Sequence, residues 1–144
     1  MTTTTMSYVI DAPVEEVFDV VAHIENFSKA VPAIADVEFI SEQRSGVGTR
    51  FRETRVMGRR EATSELEVTE YEEGSLIRLV AEEGGSTWDS RFTTTAEGES
   101  TRLDFTMVAT PHTFAARILD PLTKGIVAKA IRGDMEAVKA YCEV

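Results

Sequence analysis

The chain has little sulfur and little imidazole: one cysteine, Cys142, and two histidines, His23 and His112. A single cysteine excludes an intrachain disulfide and a thiolate metal cluster. Neither histidine has a patterned Asp or Glu beside it, so no metal site is expected. Gly46-Val47-Gly48 offers two glycines but lacks the strand–loop–helix setting of a dinucleotide site, and no cofactor is expected. No apolar run approaches the ~20 residues of a membrane span. The stretch Met1–Thr5 has neither the basic segment nor the apolar core of a secretory signal, so the cytoplasm is the expected compartment. Positive charge is also scarce. Fifteen Lys and Arg stand against 25 Asp and Glu, a net charge of −10. A polyanion is repelled at long range, so nucleic acid is not an expected partner. Anionic membrane surfaces are disfavoured on the same ground.

What is present is ordinary for a globular protein. Of 144 residues, 42% are apolar and 28% charged. A chain of this length forms one domain, 1–144, and buries roughly two-thirds of its unfolded surface. From Asp36 to Ala109 it reads as one strand after another, with helices on both sides. A first strand is expected over Thr4–Ile10. Asp11 can cap the helix that follows, Pro13 suits its first turn, and Glu15 and Glu16 favour the positive end of its dipole. Val14, Val17, Phe18 and Val21 lie on one face of it. A short second helix spans Glu25–Val31, with Phe27 and Val31 inward, and ends before Pro32.

The sharpest local inference is a hairpin. Gly58-Arg59 is a two-residue turn with glycine first, as a type II′ turn prefers. Folding about it pairs Met57 with Arg60. The register then sets Phe51 against Leu66, Thr49 against Val68 and Glu53 against Ser64 on one face. It sets Arg52 against Glu65 and Arg50 against Glu67 on the other. A slip of one residue would put every one of these on the wrong side.

Further along, Ile77, Leu79 and Ala81 face inward on the next strand, then Trp88, Ser90 and Phe92. Leu103, Phe105, Met107 and Ala109 face inward on the last. A tight Gly84-Gly85 turn would oppose Arg78 to Arg91, which is mildly unfavourable and leaves the register open between that turn and a longer loop. From Thr113 the pattern is helical. Pro121 should kink or divide that helix. Before it Phe114 and Ile118 form an apolar face. After it Val127, Ile131, Met135, Val138 and Cys142 form another, pointing elsewhere. A bent helix would lay its first part over the mouth of the sheet and its second part along the concavity.

Several stretches resemble one family in order and spacing. They are Ile10-Asp11-Ala12-Pro13-Val14-Glu15-Glu16-Val17-Phe18, Gly46-Val47-Gly48-Thr49-Arg50-Phe51, Glu67-Val68-Thr69-Glu70-Tyr71, Thr101-Arg102-Leu103, and Met135 to Glu143. Together they are similar to the START-like, or SRPBCC, superfamily in its polyketide cyclase/dehydrase branch. The resemblance covers essentially the whole chain. It implies an α+β helix-grip fold: a curved seven-stranded antiparallel sheet around a long C-terminal helix, with two short helices after the first strand. It also implies a cavity for an apolar or amphipathic small molecule. The family includes carriers and cyclases alike, so shape follows from it better than chemistry.

Glu53 is the residue of most interest, because a carboxylate on a concave apolar face is costly to bury unpaired. It could act as an acid or base with a raised pKa, or anchor a ligand. It could equally meet water at the cavity mouth or pair with Arg55. Trp88 offers an aromatic wall and an indole N–H, and Ser64 and Ser90 offer hydroxyls. Phe27, Phe51, Met57, Phe105, Met107, Val127 and Ile131 would complete the walls, with His112 at the sheet-to-helix joint. Met135, Phe92 and Phe114 are also expected to face inward. The expected function is binding of a hydrophobic small molecule such as a lipid, polyketide or isoprenoid, as carrier, sensor or store. The alternative is a cyclase or dehydrase using Glu53. A homodimer through a sheet edge or the last helix is a third reading.

Overall fold

The computed structural model describes residues 1–144. The elements run β1 (Thr2–Ile10), α1 (Val14–Ala22), α2 (Ile24–Ala30), β2 (Ile34–Phe39), β3 (Arg50–Met57), β4 (Arg60–Glu72), β5 (Leu76–Glu83), β6 (Ser86–Glu97), β7 (Ser100–Pro111) and α3 (Phe114–Cys142). One antiparallel sheet holds all seven strands in the order β1-β7-β6-β5-β4-β3-β2. Strands β2 to β7 are successive neighbours, and β1 closes onto β7. The helices α1 and α2 carry the chain from one edge of the sheet to the other. The long α3 packs against the concave face, which is the helix-grip arrangement.

The β3–β4 hairpin has the register its sequence predicts. Met57 opposes Arg60, Phe51 opposes Leu66 and Glu53 opposes Ser64. The Val68 N–H donates to the Thr49 carbonyl at 2.9 Å, continuing the ladder. Gly58 has φ 65°, and no non-glycine residue has positive φ, so the turn is glycine-first as expected. On its outer face Arg50 lies 3.8 Å from Glu67 directly opposite, and further partners join in. Arg50 bonds Glu65 diagonally, and Arg52 reaches Glu38 on β2 at 3.3 Å.

Three expectations change, and one open register is settled. The first strand starts at Thr2, because Thr2 to Thr5 pair with Ala109 to Thr106. Asp11 does not cap α1. The helix begins beyond its reach with Pro13 at the N-cap, and the Asp11 N–H instead donates to the Glu143 carboxylate at 2.8 Å. The Gly84-Gly85 turn is tight and does oppose Arg78 to Arg91. Two acids relieve the repulsion: Glu70 accepts from both guanidinium groups, and Asp89 takes a bidentate pair from Arg78. Finally, α3 is one continuous helix through Pro121. A proline forfeits a single backbone bond, and here the turn is held nearby by the Thr123 hydroxyl, which donates to the Asp120 carbonyl at 3.1 Å.

Apolar residues of the sheet, α1, α2 and the second half of α3 form one core, including Ile10, Val17, Phe18, Ile77, Leu103, Met135 and Val138. Cys142 packs against it, and burial together with the charges of Glu16 and Glu143 pushes its thiol up to about 11. A thiol so held is mostly unreactive at neutral pH.

The start of α3 is tied to the β5–β6 turn. Thr113 caps α3, its hydroxyl accepting from the Ala116 N–H at 3.1 Å. Gly85, at φ +78°, lies so close that a Cβ there would sit 2.6 Å from the Thr113 Oγ1. The Gly85→Ala substitution would therefore combine left-handed strain with loss of the cap. It is expected to cost about 2–3 kcal/mol, measurable as a shift in the urea midpoint. A cost below ~0.5 kcal/mol would contradict this account.

Candidate functional site

Between the concave face of the sheet and α3 lies a cavity of about 380 Å³. Its walls follow from the two-residue period of a strand, which sends alternate side chains to one face. From β3 come Phe51, Glu53, Arg55 and Met57, and from β4 Ala62, Ser64, Leu66 and Val68. Ile77, Leu79 and Ala81 follow on β5, Trp88, Ser90 and Phe92 on β6, and Phe105 and Met107 on β7. Phe27 closes one side from α2. Val127, Ala130, Ile131, Asp134 and Met135 line it from α3, which presents every third or fourth residue. Apolar residues make up 20 of the 30 that line the space.

Among the polar residues of the lining is a three-residue charged cluster. Glu53 is 8% exposed. Its Oε1 accepts from the Arg55 Nε–H at 3.1 Å. The two terminal nitrogens of Arg55 donate to Asp134 at 3.0 and 2.8 Å, a bidentate pair joining β3 to α3. Two carboxylates thus share one guanidinium. Burial holds the Glu53 carboxyl above the ordinary carboxylate range. The Arg55 charge pulls the other way and is outweighed, while Asp134 adds to the rise. Arg55 stays fully charged: burial opposes its charge, but bonding to Asp134 and attraction from both acids prevail. The bonded oxygens leave Glu53 Oε2 without a protein partner, available to a donor in the cavity.

The structure brings together all the sequence-predicted site residues except His112. Phe27, Phe51, Glu53, Met57, Ser64, Trp88, Ser90, Phe105, Met107, Val127 and Ile131 all border the cavity. Met57 does so from the hairpin tip and is half exposed. His112 is exposed and outside the lining. It follows the last residue of β7, in the link to α3, where its Nε2 lies 2.6 Å from the Thr87 hydroxyl. Trp88 supplies a wall but not a free donor, since its indole N–H donates to the Glu83 carbonyl at 3.1 Å. Phe114 does not face inward; it is exposed at the start of α3. Sequence reasoning missed Asp134. The signal was there: Asp134 lies three residues after Ile131 and one before Met135, an acid on the inward stripe of the helix.

The family described as polyketide cyclase/dehydrase and lipid transport matches residues 1–143. The chain belongs to this family. Its fold is shared with several solved structures. The Zhui aromatase/cyclase from Streptomyces superposes with a TM-score of 0.81 at 16% identity, over 99% of this chain and 93% of that one. A Thermus thermophilus protein gives 0.78 at 18% identity, over 96% and 95%. Norcoclaurine synthase from Thalictrum flavum gives 0.69 at 17% identity, over 97% and 85%. At such identities the likeness is one of fold. No curated protein sequence matches the chain. No helix is long and apolar enough to cross a membrane.

Proposed function

We propose that this family member binds a hydrophobic small molecule in the cavity, with a hydrogen-bond donor of the ligand directed at Glu53. One observation carries the reading: a space of about 380 Å³ with mainly apolar walls that ends on the Glu53–Arg55–Asp134 cluster. Ligand pockets are of that order, ~300–1,000 Å³, and combine apolar walls with a few placed polar groups. The cluster already satisfies Arg55, so a ligand carboxylate would not find a free cation there. A hydroxyl, phenol or amine can donate to the open oxygen of Glu53 and gain a charge-assisted bond.

A second reading, acid–base catalysis by Glu53 in a cyclase or dehydrase, is favoured by its raised proton affinity. The Arg55 ion pair works against it, because its charge opposes that rise and its bond fixes the carboxylate's orientation. The two readings differ in the effect of Glu53→Gln. That change weakens binding of a donor-bearing ligand modestly under the first and abolishes turnover under the second.

The test is native mass spectrometry of freshly purified protein together with titration by a neutral solvatochromic dye such as Nile red. One dye per chain, displaced by any co-purified molecule, is the expected result. Absence of saturable dye binding by the folded, ligand-free protein would overturn the proposal.

A further inference from the structure

The first two turns and more of α3 carry apolar side chains on the wrong face for the core. Phe114 is 78% exposed, Leu122 70% and Ile126 69%, with Ile118 and Leu119 also more than half exposed. Spaced by four residues, Phe114, Ile118, Leu122 and Ile126 form one continuous stripe. The inward positions of this stretch are held by Ala116, Asp120, Thr123 and Val127. Asp120 is fastened to β1 by the Thr2 hydroxyl and lies 3.6 Å from the N-terminal amine. The rotation of the helix is thereby set, and the stripe faces out.

The charge of this stretch is the reverse of the chain's. Phe114 to Arg132 contains Arg117, Lys124, Lys129 and Arg132 against the single acid Asp120, within a protein of net charge −10. All four cations are exposed and none has a carboxylate partner; elsewhere seven of the eleven Lys and Arg are paired and Lys29, Arg44, Arg59 and Arg60 are not, so what marks this segment is four free cations on one helix beside an apolar stripe. An exposed apolar stripe bordered by unpaired cations is the pattern of a helix that lies in an anionic membrane interface.

We propose that the Phe114–Arg132 half of α3 docks the protein on an anionic lipid surface. The average charge of the chain argues against such a partner, but charge acts locally. Screening confines it to about 8 Å at physiological salt, and the segment is about 28 Å long. The bilayer therefore meets the four cations before the acidic remainder. A second copy is a poorer occupant, since symmetric pairing would set four cations against four. The helix would lie on the bilayer and not span it. Val127 and Ala130, in the same segment, also line the cavity, which brings the docked face beside the cavity wall. The docking does not require the cavity to be filled.

The experiment is vesicle flotation of the full chain with phosphatidylcholine alone and with a third of it replaced by phosphatidylserine. Binding is expected only to the anionic vesicles and is expected to fall as salt rises. Lys129→Gln and Arg132→Gln should each weaken partitioning about fivefold. Leu122→Gln with Ile126→Gln should remove it, leaving thermal midpoint and dye binding unchanged because neither side chain touches core or cavity. Three results would overturn the proposal: no flotation at low salt, equal flotation with neutral vesicles, or concentration-dependent self-association that the Leu122/Ile126 pair abolishes. Dye binding is measured separately, so failure here leaves the cavity reading intact.

Discussion

Arg55→Ala is expected to destabilise the protein by about 2–4 kcal/mol at neutral pH, and the loss is expected to shrink in acid. The substitution strands two carboxylates. Glu53 loses the Nε–H that bonds its Oε1, and Asp134 loses both of its bonds to the guanidinium. Breaking a buried pair leaves an uncompensated charge, which costs more than the pair contributes. The figure is set below the fully buried case because Arg55 keeps a quarter of its side chain exposed.

The pH dependence follows from Glu53. Its folded pKa already lies above its ordinary value of 4.5, burial being the main cause. Such a carboxyl favours the folded state when protonated. Its contribution is fully present below the unfolded pKa and is lost as pH rises through the folded one. Removing Arg55 takes away the chief force holding that pKa down, so the window widens upward. The gap between wild type and Arg55→Ala should then narrow between pH 7 and pH 4 in urea denaturation. Adding Glu53→Gln to Arg55→Ala should recover part of the loss at pH 7, since one stranded charge is gone. A gap that is independent of pH, or smaller than ~1 kcal/mol, would mean that the cluster is wet and does not bridge β3 to α3.

Ile131→Trp is expected to weaken dye binding at least tenfold while leaving the protein nearly as stable as wild type. Ile131 is buried and borders the cavity. A larger side chain in a packed core forces strain of about 1–3 kcal/mol. Here the indole can enter the void, so most of that strain is avoided and the ligand's space is lost instead. Leu103→Ala is the opposite case. Leu103 is fully buried and lies outside the cavity lining. Its truncation should cost about 2–5 kcal/mol and leave dye affinity unchanged under conditions where the protein remains folded. Equilibrium titration and thermal denaturation of the two variants side by side separate space from stability. Unchanged dye affinity and stoichiometry in Ile131→Trp would place the binding site elsewhere.

The β3–β4 hairpin shows what a sequence can specify alone. A glycine-first turn and two faces of opposite character leave one register, and that register put Glu53 on the inner face opposite Ser64. The same two-residue period turned Phe51, Trp88, Ser90, Phe105 and Met107 toward the cavity. These are local properties of paired strands, and neighbouring residues carry all the information. His112 escaped the reading because it lies in the link between β7 and α3, where neither strand nor helix period sets the side a residue takes.

The remaining features needed distant parts of the chain to meet. Arg78 can face Arg91 because Glu70 and Asp89 come between them. Pro121 lies inside an unbroken helix. The apolar stripe from Phe114 to Ile126 faces outward because contacts such as that of Asp120 with Thr2 set the roll of α3. The Glu53–Arg55–Asp134 cluster joins groups 79 residues apart. By itself, then, the sequence determined the family, the β3–β4 register and which carboxylate faces inward, since period and turn chemistry act between near neighbours. The tertiary structure decided the partner of that carboxylate and the outward face of α3. Both depend on how far the helix slides and how it rolls against the sheet, and no spacing along the chain encodes those two quantities.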